Sequence, residues 1–193
     1  MIRTLVCNVH SLLPLAPELQ GEPTLARPVS QACTQAQFEE PVYAELCAQI
    51  GERPRQHRKQ WEFCYILQAL DAYDMLRPGR LGLGFGVGTE PLSAVFAARG
   101  ASILATDLEP ARAGTSGWIE TDQHASGKAG VNSRGLCEPA TFDKLVDFRY
   151  MDMSAIDSDL AGNFDFCWSD CAFELLGSIA KGLEFVERSI DCL

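Results

Sequence analysis

Residues 80–110 are RLGLGFGVGTEPLSAVFAARGASILATDLEP, and this stretch decides the fold. The pattern predicts a buried strand, a glycine loop, a short helix and a second strand that delivers Asp107 to the edge of a sheet. Gly84, Gly86 and Gly88 leave backbone N–H groups bare where the first strand meets the helix, so a ligand can lie against them. A carboxylate at the end of the second strand is placed to accept hydrogen bonds from ribose hydroxyls. The stretch therefore predicts half of a nucleotide-type binding site in an α/β fold.

The spacing of the glycines separates two classes of nucleotide-binding loop. The dinucleotide fingerprint Gly-x-Gly-x-x-Gly needs a glycine at its sixth position. That position is occupied by Thr89 when the motif is counted from Gly84, and by Val87 when it is counted from Gly82. The spacing Gly-x-Gly-x-Gly fits instead from Gly84 onwards. In this pattern the chain resembles the class I S-adenosylmethionine-dependent methyltransferases, whose first motif has this spacing and whose second motif ends in a ribose-binding acidic residue. One position departs from the family, which usually carries Asp or Glu two residues before the first glycine, where this chain has Gly82.

A third strand is predicted by VDFRYMDM, residues 146–153, which ends at Asp152 with Met153 beside it. In the methyltransferases that the chain resembles, an acidic residue here bonds the adenine amino group, and its apolar neighbour packs on the ring. The resemblance therefore implies an adenine contact from both residues.

The sequence NFDFCWSDCAFELLG, residues 163–177, predicts a fourth strand over 164–169 and the loop after it. The family usually has Glu-His-Leu in this loop, and Glu174 begins Glu-Leu-Leu instead, so an imidazole is missing. Methyl transfer needs alignment of the reactants more than acid–base equipment, and a base helps when the acceptor is a hydroxyl or an amine. Asp170 and Glu174 are therefore the candidate catalytic residues, with capping of the following helix as the alternative role of Glu174.

The resemblance covers about residues 80 to 193. It implies an α/β fold with a Rossmann-like, doubly wound sheet of the class I methyltransferase type behind N-terminal helices. It also implies S-adenosyl-L-methionine as the cofactor. No metal-binding residues are predicted. The residues that it assigns to the cofactor are Gly84, Gly86, Gly88, Asp107, Leu108, Asp152, Met153 and Ser169.

A complete sheet of this type has seven strands, and the sequence predicts four. The helix after the fourth strand is predicted over 179–193. One apolar face of this helix is formed by Ile179, Leu183, Phe185 or Val186, and Ile190. We expect an incomplete sheet, in a truncated chain or one that a partner completes, with the fourth strand as an exposed apolar edge that favours self-association.

The chain is expected to divide into two parts. Residues 1–55 are expected to be an arm and a short helix over 41–50, and residues 56–193 are expected to be the binding domain. Helices placed before the first strand commonly cover the cofactor in the family. Trp61, Glu62 and Tyr65, on a helix predicted over 56–76, are thus candidate lid or substrate-pocket residues, with packing on the sheet as the alternative.

Composition sets further limits. The chain has 193 residues, 47% of them hydrophobic, which suffices for one core, and a formal net charge of −10 argues against a broad grip on nucleic acid or anionic membranes. It has no apolar run of about eighteen residues, the length from which a spanning helix is expected. The eight cysteines are scattered without a Cys-x-x-Cys pair, so a structural zinc site is not expected. A cytoplasmic location is the default expectation.

Three functions fit these patterns. The first is a methyltransferase whose acceptor the sequence does not identify, since the resemblance admits small molecules, glycans, lipids and proteins alike. The second is a non-catalytic S-adenosylmethionine-binding or scaffold protein, which the missing strands and the missing histidine favour. The third is a nicotinamide-dependent oxidoreductase, which the glycine spacing and Asp152 disfavour.

Overall fold

The computed structural model describes residues 24–110 and 127–193. Within these ranges the strands are β1 (Leu81–Phe85), β2 (Ser102–Asp107), β3 (Val146–Tyr150) and β4 (Phe166–Ser169). They form one parallel sheet in the order β3-β2-β1-β4. The helices of the described ranges are α1 (Pro41–Gln49), α2 (Arg58–Ala72), α3 (Leu92–Ala98), α4 (Pro139–Leu145) and α5 (Ile179–Ile190).

The order of the strands has a topological switch point at β1. The chain adds β2 and β3 on one side of β1 and then adds β4 on the other side. Open α/β sheets bind ligands at such a switch point, outside the carboxyl ends of the strands. The backbone pairing continues past β1, because Val87 N donates to Thr106 O at 3.0 Å, and the Thr106 hydroxyl donates to Gly84 O at 2.7 Å. These bonds hold the glycine loop beside the end of β2. The arrangement confirms the predicted Rossmann-like sheet.

One face of the sheet packs against α1 to α4. Gly82 and Gly84 point to this face, and the rings of Phe166 and Trp168 fill the space above them. A Cβ atom added at Gly82 would lie 2.3 Å from Cζ of Phe166, so the ring excludes any side chain there. Phe96 of α3 meets the two rings edge-on, at centroid distances of 6.0 and 5.1 Å. These aromatic contacts fix α3 over the strands and thereby the loop that precedes it.

The other face packs against α5, which makes the sheet doubly wound. Phe185 meets Phe85 of β1 edge-on with a centroid distance of 5.1 Å, and Gly182 and Ser189 lie on the same inward side. The apolar residues that point outward are Ile179, Leu183, Val186 and Ile190, which are 86%, 56%, 41% and 59% exposed. The predicted apolar face exists, but it lies about a quarter turn away from the packed one.

Several predicted boundaries need correction. The third strand ends at Tyr150 rather than Asp152, and β4 begins at Phe166 rather than at residue 164. The helix predicted over 56–76 spans Arg58–Ala72, because the backbone of His57 is still extended and Tyr73 leaves the helical conformation. Most of the predicted N-terminal arm lies outside the described residues. Within residues 24–110 and 127–193, no helix combines the length and the apolar character that a membrane span requires.

Candidate functional site

The glycine loop follows β1 at the carboxyl edge of the sheet. Gly86 and Gly88 have φ angles of +61° and +52°, a conformation that residues with a side chain rarely adopt. A Cβ atom at Gly86 would also lie 2.9 Å from Cβ of Ala172, in the loop after β4, and 3.8 Å from the Met153 sulfur. The loop is therefore a bare-backbone surface with Met153 and Ala172 close beside it.

Asp107 lies on the neighbouring strand, at the same edge. It is 8% exposed, and its Oδ1 accepts a hydrogen bond of 2.8 Å from the backbone N–H of Leu108. The backbone oxygen of Asp107 accepts a further bond of 2.8 Å from Met151 N, which ties the end of β2 to β3. The carboxylate is thus bonded to the backbone of the next residue, and the backbone of Asp107 is fixed by β3.

Asp152 lies two residues beyond β3, in a tight turn. Its Oδ1 accepts hydrogen bonds from the backbone N–H of Ser154 at 2.9 Å and from the Ser154 hydroxyl at 2.6 Å. Short aspartate side chains favour such turns after a strand. One carboxylate oxygen is therefore engaged locally, while the neighbouring Met153 packs towards the core of the α5 face.

A cavity of about 510 Å³ opens at the end of β4. Its walls come from α2 and from the loop after β4. The lining residues are Arg58, Glu62, Tyr65, Ile66, Ser169, Asp170, Cys171 and Phe173. Asp170 is only 7% exposed, so its carboxyl group belongs to the buried part of the wall. Glu174 follows Phe173 in the sequence, within the 3-10 helix Phe173–Leu175.

The candidate lid residues of α2 separate into two groups. Glu62 and Tyr65 line the cavity, and the Tyr65 hydroxyl donates to the backbone oxygen of Val29 at 2.5 Å. Trp61 is 5% exposed and stacks on the Tyr65 ring, with a centroid distance of 5.0 Å. Trp61 therefore supports the wall from within the core, and α2 both packs on the sheet and lines the cavity.

One wall of the cavity is a polar network around Cys171. The Cys171 thiol donates to Oε2 of Glu62 at 2.8 Å, and the Arg58 guanidinium contacts the sulfur at 3.6 Å while pairing with Glu62. Burial, then the hydrogen bond to Glu62 and the charge of Asp170, raise the pKa of Cys171 to about 12. The thiol is thus protonated at neutral pH and is not an activated nucleophile.

The same network brings three metal-ligand types together, since donor atoms of Glu62, Asp170 and Cys171 lie within 4.8 Å of one another. The Cys171 thiol and the Arg58 guanidinium already engage the Glu62 carboxylate. The cluster is therefore accounted for as a hydrogen-bonded wall of the cavity.

Sequence reasoning missed Glu90, which follows the glycine loop and is only 6% exposed. Its Oε1 accepts a hydrogen bond of 2.6 Å from the indole N–H of Trp168 on β4. Burial, followed by the negative charge of Asp170, raises the pKa of the Glu90 carboxyl well above its usual value. The available signal was a lone acidic residue within the apolar stretch from residue 81 to residue 98.

No protein-family model matches this sequence, and no curated protein matches it. Solved structures do resemble it. A SAM-dependent methyltransferase from Geobacter sulfurreducens, in complex with S-adenosyl-L-homocysteine, is 20% identical with a TM-score of 0.41, over 64% of this chain and 42% of that one. Magnesium protoporphyrin IX methyltransferase from Synechocystis PCC 6803, with bound SAH, is 15% identical with a TM-score of 0.42, over 75% and 61% of the two chains. Phosphoethanolamine N-methyltransferase 1 from Haemonchus contortus is 14% identical with a TM-score of 0.42, over 83% and 31%.

These three similar structures are methyltransferases, in agreement with the family that the sequence motifs resemble. The chain spans less than two thirds of the length of each of them.

Proposed function

We propose that the protein is an S-adenosylmethionine-dependent methyltransferase. The observation that carries the proposal is the meeting of three features at one edge of the sheet. The first is the left-handed glycine loop, the second is the carboxylate of Asp107 on the adjacent strand, and the third is a cavity at the end of β4. Such an edge suits a nucleoside with a reactive group pointing towards the cavity.

The loop suits the cofactor because Gly86 and Gly88, with their positive φ angles, have no side chains to cover the backbone N–H groups. When bound, S-adenosylmethionine supplies an electrophilic methyl group. Asp107 accepts hydrogen bonds from the ribose, while Asp152 and Met153 contact the adenine. The other residues proposed to hold the cofactor are Gly84, Gly86, Gly88, Leu108 and Ser169.

The acceptor binds in the cavity after β4, where Asp170 orients its nucleophilic group and takes its proton. Glu174 is the second candidate for this role. The cavity volume of about 510 Å³ suits a small molecule, a short glycan unit or a lipid headgroup rather than a folded protein. Because alignment supplies much of the rate in methyl transfer, the cavity walls contribute chiefly by holding the acceptor in line.

Ligand binding tests the proposal directly. Calorimetry should show that the protein binds S-adenosylhomocysteine in preference to NAD, because the glycine spacing fails the dinucleotide fingerprint. Tighter binding of NAD would refute the cofactor assignment and favour an oxidoreductase. Binding of S-adenosylhomocysteine without methyl transfer to any class of acceptor would favour the non-catalytic alternative, which the absence of the family's histidine beside Glu174 supports.

We also propose that copies of the protein associate in the cytoplasm. The outward face of α5 presents Ile179, Leu183, Val186 and Ile190, and β4 pairs on one side only among the described residues. Exposed apolar stripes and unpaired strand edges favour association. Sedimentation at increasing protein concentration should therefore show oligomers, and Leu183→Glu should shift the distribution towards the monomer.

A further inference from the structure

Glu90 is a buried acid that the roles proposed above do not use. It follows the glycine loop and precedes α3, so the chain places it at the switch point between β1 and β4. Two features then define its surroundings. Trp168 of β4 donates to its Oε1 at 2.6 Å, and the charged groups that influence it are Asp170, Lys59 and Asp107, in decreasing order. These groups come from the loop after β4, from α2 and from β2.

The bond to Trp168 locates Glu90 along the edge of the sheet. Trp168 belongs to β4, which lies on the opposite side of β1 from β2, so Glu90 lies towards the β4 side of the glycine loop. The carboxylate proposed to bind ribose belongs to β2, on the other side. A nucleoside whose ribose met Asp107 would therefore have Glu90 across the loop from its ribose.

The position that usually carries an acid in the resembling family has no room for one in this chain. Any side chain at Gly82 would collide with Phe166, and any side chain at Gly84 would lie 2.5 Å from Trp168. The aromatic pair that blocks these positions includes the residue that holds Glu90. The same aromatic packing thus leaves no room for a carboxyl group at position 82, and it holds the carboxyl group of Glu90 in place.

Resting on the proposed function, we propose that Glu90 receives the ammonium group at the amino-acid end of the cofactor and releases a proton to solvent when that end binds. Without ligand, burial and the negative charge of Asp170 favour the neutral carboxyl group. An arriving ammonium group favours the carboxylate, so the O–H bond of Glu90 breaks and its proton leaves to the buffer. The ammonium keeps all its protons, and Trp168 continues to donate to Oε1.

The competing explanation is that Glu90 serves only as the hydrogen-bond acceptor of Trp168. Two ligands separate the explanations. S-adenosylhomocysteine carries the amino-acid end, whereas 5′-methylthioadenosine has the adenosine and the sulfur but lacks the ammonium group. A purely structural Glu90 treats both ligands alike, whereas an ammonium receptor distinguishes them.

Calorimetry of the wild-type protein in two buffers of different ionisation enthalpy provides the first test. Binding of S-adenosylhomocysteine should release up to one proton near neutral pH, and binding of 5′-methylthioadenosine should release none. In Glu90→Gln, the affinity for S-adenosylhomocysteine should fall by about tenfold to a hundredfold, since a charge-assisted bond is lost. Its affinity for 5′-methylthioadenosine should remain that of the wild type, and its proton release should vanish.

Asp107→Ala is the matched control, because it should lower the affinity for both ligands. The proposal is overturned if wild-type proton release is the same for both ligands, or if Glu90→Gln weakens both equally. The wild-type comparison needs no variant, so it decides the matter even if Glu90→Gln fails to fold. A wild-type protein that binds neither ligand would instead refute the proposed function, which is a separate result.

Discussion

The ring of Phe166 occupies the space that a side chain at position 82 would need, with Cζ only 2.3 Å from where the Cβ atom would lie. Gly82 and Phe166 are paired across β1 and β4, so the contact is built into the register of the sheet. This relationship gives a physical reason for the departure from the family pattern at position 82, near the start of β1. The glycine is a consequence of aromatic packing on β4.

We therefore expect Gly82→Ala to lower the free energy of unfolding by about 1–3 kcal/mol, the usual cost of overpacking a core. Phe166→Leu should make room for the new methyl group. The double variant should consequently lose less stability than the sum of the two single variants. Denaturant unfolding measures all four proteins. Strict additivity would show that the two positions do not compete for the same space.

Asp107→Ala should keep the fold and lower the affinity for S-adenosylhomocysteine by about tenfold to a hundredfold. The reason is that a charge-assisted hydrogen bond is worth about 1.5–3 kcal/mol. Asp147→Ala removes an exposed carboxylate from β3 and should leave affinity unchanged. Calorimetry and thermal melting measure the two properties. A lower melting temperature with unchanged affinity would assign Asp107 to a structural role in the segment after β2.

The buried carboxyl group of Glu90 should make the free energy of unfolding decrease as the pH rises. Its raised pKa means that the folded chain keeps a proton which the unfolded chain, with an ordinary pKa of 4.5, has released. Between these two pKa values the folded state binds more protons, so the free energy of unfolding decreases by up to about 1.4 kcal/mol per pH unit. Glu90→Gln cannot ionise, and its amide oxygen can still accept from Trp168.

The variant should accordingly be more stable than the wild type above neutral pH and show a flatter dependence on pH. Urea unfolding between about pH 5 and about pH 8 measures the difference. Glu45→Gln, at an exposed position of α1, should keep the wild-type slope. The same slope in Glu90→Gln and the wild type would mean that Glu90 does not retain its proton on folding.

The thiol of Cys171 should react slowly with iodoacetamide, because its pKa of about 12 leaves little thiolate at neutral pH. Glu62→Gln removes a negative charge and the carboxylate that the thiol bonds to, both of which raise this pKa. The variant should therefore be alkylated at least several-fold faster at Cys171, as measured by peptide mass mapping. Glu187→Gln, at an exposed position of α5, should not change the rate.

The strand–loop–helix–strand unit could be predicted from the sequence because its signals are local. Glycines, an apolar helix face and a terminal acid all occur between residues 81 and 107, and the structure confirms β1, α3 and β2. The end of β3 was predicted two residues too late, since alternation does not reveal that Asp152 forms a turn with Ser154.

The packing of α5 and the burial of Glu90 depend on contacts with distant residues, which the spacing of apolar residues along the chain does not reveal. The apolar stripe of α5 was predicted with either Phe185 or Val186 as a member. Val186 lies in the exposed stripe, whereas Phe185 packs on the sheet through its contact with Phe85. Glu90 was missed because acidic residues are rarely buried without a partner, and its partner, Trp168, is 78 positions away in the sequence. Site residues that are assembled by long-range contacts cannot be recognised from one stretch of sequence.

The position of β1 between β2 and β4 has a kinetic consequence. Gly82 pairs with Ile103, 21 positions later, and with Phe166, 84 positions later, so the second pairing closes a loop four times as long. Each doubling of loop length adds about 0.6 kcal/mol of entropic cost. Closing the loop between β1 and β4 therefore costs about 1.2 kcal/mol more than closing the loop between β1 and β2. The β1–α3–β2 unit should thus assemble early and β4 late. The end of β4 and the cavity wall after it are then the last part of the site to form during folding, and substitutions there should chiefly accelerate unfolding.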